Sequence, residues 1–149
     1  MLPGRLVQTV VGWLDQLGSH LPRRESTPEH LRVGVKGEEE AYFALRRMGY
    51  VMVERNFRSS KCHGEIDLIG WERDVLCFIE VKTRTSRDVR TAEAAVDRHQ
   101  RREVAEVARE YLRKAPLPCQ WRFDIVSVYY DQRKSRPLIE VFRNASLAA

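Results

Sequence analysis

The sequence contains no run of about 20 apolar residues, so nothing in it reads as a transmembrane segment. Cysteine is scarce. Cys62, Cys77 and Cys119 are an odd number without ligand-like spacing, which points to reduced thiols in a cytoplasmic protein. Cys62-His63 is the only adjacent Cys/His pair, and a lone pair makes a poor zinc site without two more ligands. His20, His30 and His99 stand isolated and support no dyad with a cysteine or serine. The first apolar stretch has a single Arg5, is interrupted by Gly12 and Asp15, and lacks a small-residue cleavage site, so it is a poor signal peptide. Internal repeats and low-complexity segments are missing too.

Charge is what the chain has in quantity. Lys and Arg total 26 against 21 acidic residues, a net +5, and most of the cations are arginine. A guanidinium favours bidentate phosphate contact, so a nucleic-acid partner is the leading inference, with a basic but uncommitted surface as the alternative. The length of 149 residues leaves room for one domain and an extension. We place an amphipathic helix and linker at 1–33 and the domain at 34–149.

The chain is organised around Gly64 to Arg84. Two β-prone runs, Glu65 to Trp71 and Val75 to Thr83, flank the charged breaker Glu72-Arg73-Asp74 and predict a β-hairpin. A turn centred between Arg73 and Asp74 sets Asp67 opposite Glu80 and Glu65 opposite Lys82. These four charges then share one face, while Ile66, Leu68, Cys77, Ile79 and Val81 share the other. Carboxylates facing each other across strands cost up to about 1 kcal/mol unless a cation lies between them. Oxygen donors without a His or Cys cluster select a hard ion, Mg²⁺ or Mn²⁺. Lys82 would then orient or deprotonate an attacking water, or stabilise developing phosphate charge. The plainer reading is an amphipathic hairpin with a solvated polar face. Ile69, Trp71 and Phe78 on the charged face argue that it is partly covered.

The string Gly-Glu-Ile-Asp-Leu-Ile, a short gap and Phe-Ile-Glu-Val-Lys-Thr-Arg resembles the YraN family, regarded as predicted nucleases related to Holliday junction resolvases. Asp67 with Glu80-Val81-Lys82 is also similar to the wider PD-(D/E)xK motif. The resemblance covers roughly residues 34 to 149 and implies an α/β, restriction-endonuclease-like mixed β-sheet flanked by helices, with an N-terminal helical extension ahead of it. It further implies an Mg²⁺-dependent endonuclease hydrolysing DNA, with branched DNA as a candidate substrate and a homodimer as the candidate assembly. Asp67, Glu80 and the Val81 carbonyl would hold the metal, and Lys82 would position and activate water. The alternative is a catalytically silent nucleic-acid-binding or scaffold module with the same fold.

The rest of the chain fits around this hairpin. A helix from Pro28 or Val35 to Met48 ends at Gly49, with Ala41, Leu45 and Met48 as its buried stripe. Glu38 heads that stripe. The plainer reading is that with Glu39 and Glu40 it complements the helix dipole, but Gly37-Glu38-Glu39-Glu40-Ala41 resembles the family's Gly-Glu-x-x-Ala, whose glutamate is proposed as a third acidic active-site residue. Tyr50 to Asn56 is read as the first strand, with Arg55, Arg58 and Lys61 leading toward the acids. A helix from Thr91 to Lys114 carries Arg98, Arg101 and Arg102, which with Arg84, Arg87 and Arg90 make a candidate phosphate-tracking patch. Gln100 stands where the family commonly has lysine, and it and Glu65, opposite Lys82, are candidates to support the acids and the lysine from behind. Trp121 to Tyr130 and Leu138 to Phe142 complete the sheet, with Asp124 as a structural acid.

Overall fold

In a computed structural model of the protein, residues 29–85, 98–115 and 118–145 are described. The expected N-terminal helix and linker, the connection after Thr85 with Arg87 and Arg90, and the first turns of the arginine-rich helix lie outside the described residues.

Helix α1 spans Glu29–Arg47, and β1, β2 and β3 follow at Val51–Phe57, Ile66–Glu72 and Val75–Arg84. Helix α2 spans Arg98–Arg113, and β4 and β5 lie at Gln120–Tyr129 and Leu138–Phe142. The sheet order is β1-β2-β3-β4-β5. All neighbours run antiparallel except β3 and β4, which are parallel and joined across the segment containing α2. The result is an α/β fold, a mixed sheet flanked by two helices.

Local chemistry explains the element ends. Gly49 takes φ of 95°, a conformation that costs an L side chain dearly, and closes α1. Its N–H donates to Arg46 O at 3.0 Å and the Tyr50 N–H to Leu45 O at 3.0 Å. Strand β3 is apolar on both faces because both are covered. Ala41, Tyr42 and Leu45 of α1 pack with Leu68, Cys77, Ile79, Val126 and Val128. Val104, Val107 and Ala108 of α2 pack with Ile66, Ile69, Phe78, Phe123 and Ile125 on the opposite side.

Two expectations are corrected here. The hairpin does not divide into one core face and one chemical face, and Ile66 packs with Ile69 and Phe78 rather than with Leu68. Met48, expected in the buried stripe of α1, is 51 % exposed, and Tyr42, which was not expected there, is buried at 2 %. The hairpin register itself holds from Glu72↔Val75 to Leu68↔Ile79. There the ladder stops, so Asp67 and Glu80 are not a paired rung. The Val81 N–H, next on that edge, donates to Asp67 Oδ2 at 2.7 Å. A side chain has taken the place of the strand, and β2 diverges at the residue that the motif requires.

Helix α1 crosses the far end of β3 in close contact. A Cβ added at Gly37 would lie 1.8 Å from Thr83 Oγ1 and 2.9 Å from Thr83 Cβ. Only glycine permits this approach, which brings the next residue, Glu38, to the strand. Gly37→Ala is expected to destabilise the fold by about 1–3 kcal/mol through overpacking, read as a lowered midpoint in urea. An unchanged midpoint would mean that α1 and β3 can separate freely.

Candidate active site

Where β2 parts from β3, side chains from four elements converge. Glu80 leaves the edge of the α2-facing core and is 5 % exposed. Its Oε1 accepts from Lys82 Nζ at 2.8 Å and from Gln100 Nε2 at 2.5 Å. Lys82 Nζ also donates to Gln100 Oε1 at 3.2 Å. The three side chains form a closed triangle. Gln100 thus holds acid and lysine together from α2, a role that a lysine at this position could not fill because it has no acceptor.

Asp67 is pushed up to about 8, first by burial, then by the nearby Glu80 charge. The Val81 N–H and Lys82 pull the other way, and Glu38 adds to the rise. Glu38 is raised as well, by burial first, then by Glu65, with Arg55 opposing and Glu80 adding. These mutual influences place Glu38, Glu65, Asp67 and Glu80 around one locus.

A pH dependence follows. An acid raised on folding contributes stability that is full below its unfolded value, near 4, and is lost as pH rises through its folded value, about 8 for Asp67. In chelator, the contribution of Asp67 to the melting temperature is expected to fall between about pH 4 and pH 8 and to level off above. Asp67→Asn should flatten that slope. A slope unchanged in the variant would assign it to another group.

Glu65 is not placed against Lys82 as expected from the extended register. It forms an ion pair with Arg58. Between Glu65 and Glu38 stands Asn56, the last-but-one residue of β1. With its amide nitrogen turned toward the two carboxylates, as their charge dictates, it donates to Glu38 Oε2 at 3.2 Å and to Glu65 Oε1 at 3.1 Å. Sequence reasoning had passed over Asn56. The signal was its position at the end of a strand amid Arg55 and Arg58, where an asparagine breaks β propensity.

The cations are spread more widely. Arg55 lies over the Tyr42 ring at 4.7 Å, on the α1 side near Glu38. Lys61 is drawn toward Glu110 of α2, 3.8 Å away. Arg84 is part-buried and its Nε has no hydrogen-bond partner among the described residues. Arg101 and Arg102 lie on α2, Arg102 exposed and Arg101 partly so. The side chain of Arg98 lies outside the described residues. Beside Glu38, a groove of about 680 Å³ runs along Val33, Gly34, Val81, Thr83, Arg84 and Thr85.

The donor set suits a hard divalent cation. Asp67 and Glu80 are oxygen donors, and burial has left Asp67 with repulsion that a cation would relieve. Among the described residues no three His, Cys, Asp or Glu side chains close into a metal-holding group by themselves.

Residues 37–128 match the model of the uncharacterised protein family UPF0102. The chain belongs to this family. A UPF0102 protein of Koribacter versatilis is 53% identical over 140 residues, covering 94% of each chain. One of Solibacter usitatus is 40% identical over 139 residues, 91% of this chain and 99% of the relative. A third, of Caldicellulosiruptor saccharolyticus, is 35% identical over 114 residues, 76% of this chain and 95% of its own. The UPF0102 match opens at Gly37, the glycine that seats α1 on Thr83, and closes within β4. It therefore encloses Glu38, Asn56, Glu65, Asp67, Glu80, Lys82 and Gln100. Among the described residues of this UPF0102 protein, no helix is long and apolar enough to cross a membrane.

Proposed function

We propose that this UPF0102 protein is a metal-dependent endonuclease that hydrolyses DNA phosphodiester bonds. The observation that carries the reading is the meeting of Asp67, Glu80 and Lys82 at the point where β2 leaves β3, with Asp67 inserted into the ladder through Val81 N–H. Asp67, Glu80 and the Val81 carbonyl would hold Mg²⁺ or Mn²⁺, with Glu38 completing or supporting the set. Bound there, the ion would polarise the phosphate and acidify a water.

The chain's own residues account for the remainder. Lys82 orients the attacking water or neutralises charge developing on the phosphate, and Gln100 keeps the ammonium beside Glu80 rather than free in solvent. Glu65 acts only at a distance, through Arg58 and Asn56. Arg55, Arg84, Arg101 and Arg102 supply the cations that hold a polyanion by its phosphates, and such binding weakens with salt. Branched DNA cut symmetrically would need two sites, hence two copies of the chain.

A second reading has one observation in its favour. Glu80 is already neutralised by Lys82 at 2.8 Å, as it would be in a silent binding module. Cleavage of labelled linear, branched and single-stranded DNA with Mg²⁺ or Mn²⁺ separates the two. Metal-dependent cutting lost in Asp67→Ala and Lys82→Ala is the expected result. Salt-sensitive binding by the unmutated chain without any cutting would establish the module instead.

A further inference from the structure

We propose that Asn56 is a positioning residue, whose amide fixes the Glu38 carboxylate toward Asp67 and Glu80 by bridging it to Glu65. The inference rests on the metal-dependent reading of the site, and Asn56 itself touches neither metal nor substrate.

Three observations carry it. The first is the bridge. One amide group reaches Glu38 Oε2 at 3.2 Å and Glu65 Oε1 at 3.1 Å. Two like charges from distant parts of the chain, a helix and the segment leading into β2, are thereby held side by side.

The second is the backbone. Asn56 has φ of 51°, in the left-handed region. Asparagine is the side-chain-bearing residue that visits this region most readily. Asn56 lies between the pairs Arg55↔Leu68 and Phe57↔Ile66, so β1 holds its register on β2 across this left-handed residue. Few residues satisfy both demands at once, a left-handed backbone and a two-proton donor.

The third is the asymmetry of the two acids. Glu65 has a second partner in the Arg58 guanidinium, so it is an anchored, charge-compensated post. Glu38 has no such ion pair among the described residues and feels Glu65 and Glu80 as repulsion, with Arg55 opposing them. Without the amide, Glu38 would swing away from both. Through Asn56, the Arg58–Glu65 pair on the surface steadies an acid on α1 that has no ion pair of its own among the described residues.

Asn56→Gly isolates this role, because glycine keeps the left-handed backbone without strain and removes only the amide. The full chain and the variants Asn56→Gly, Glu38→Gln and the double variant are titrated with Mn²⁺, following free Mn²⁺ by electron paramagnetic resonance. Cleavage rates are measured in parallel. Asn56→Gly is expected to weaken Mn²⁺ binding or slow cleavage by about 10- to 100-fold, the usual range for groups that orient metal ligands. In the Glu38→Gln background the same change should have less than a twofold effect, since the residue it acts through is gone.

Equal effects of Asn56→Gly in both backgrounds would overturn the proposal, as would wild-type affinity and rate in the single variant. Absence of Mn²⁺ binding by the unmutated chain would overturn it as well. Mn²⁺ binding with the expected coupling but no cleavage of any substrate would leave Asn56 in its role and overturn the nuclease reading alone.

Discussion

Lys82→Met is expected to lower the cleavage rate by about 10²–10⁴-fold, the range for a positioned proton-transfer group, without weakening Mn²⁺ binding. The geometry separates these two effects. Lys82 Nζ sits 2.8 Å from Glu80 Oε1, so in the resting chain the ammonium occupies the same carboxylate that would face the ion. Removing it leaves Glu80 with Gln100 as its neutral donor. The charge on the acids is then less compensated, and a divalent cation should bind as well as before or more tightly. Methionine keeps the length of the stem and most of its packing, so a folding defect is not expected. Single-turnover cleavage and Mn²⁺ titration on one preparation check both halves. A variant that cuts at the wild-type rate removes Lys82 from the chemistry, and one that loses Mn²⁺ makes it a structural support for Glu80.

Asp124→Ala is expected to cost about 3 kcal/mol of stability, the scale of a broken buried ion pair, and to lower the melting temperature by roughly 10 °C. Asp124 is fully buried. It accepts from Arg122 Nε at 2.8 Å and from the Asn144 N–H at 2.9 Å. Arg122 reaches on to the Tyr50 hydroxyl at 3.1 Å and to Glu72, and Glu72 also binds Arg143 at 2.8 Å. Glu72 is held down near 2 by hydrogen bonding to Arg143, then by Arg122, against the opposing effect of burial. Alanine would strand the Arg122 guanidinium with less than its full set of acceptors and leave the Asn144 N–H unpaired. Asp124→Asn keeps an acceptor for Asn144 and should lose less. The network lies toward the β2–β3 turn, so cleavage per folded molecule should be little changed in either variant. Equal stability of Asp124→Ala and the unmutated chain would show that water satisfies this network.

How far the chain could be read in advance differed from place to place. The hairpin register from Leu68 to Ile79 was legible because a compact charged breaker sits between two apolar runs, leaving one centre about which they can pair. The end of α1 was legible because Gly49 is the residue that a left-handed helix terminus calls for. The departure of β2 at Asp67 was not, since period-2 alternation assumes a regular strand and a side chain accepting a ladder hydrogen bond breaks that rule. The same break moved Ile66 to the other core. Asn56 escaped notice because its two partners lie 18 residues before it and nine after, at no helical or strand period. The Glu72–Arg122 and Glu72–Arg143 contacts, 50 and 71 residues apart in sequence, leave no local pattern either. Gln100 was singled out by comparison with the family pattern, whereas its bonds to both Glu80 and Lys82 exist only once α2 lies on the sheet.

The parallel pairing of β3 with β4 has a consequence for the order in which the protein is made. Strand β3 is the centre of the sheet, yet its partner β4 begins only at Gln120. While the ribosome is still synthesising the intervening residues, β1, β2 and β3 can pair as a meander, and one edge of Val75–Arg84 is left bare. That edge is among the most apolar stretches of the chain, the kind that recruits another copy of itself. Nascent chains stalled before Gln120 are therefore expected to be the most aggregation-prone species of this protein. Chaperone dependence should be greatest in this window and end once Tyr129 has emerged.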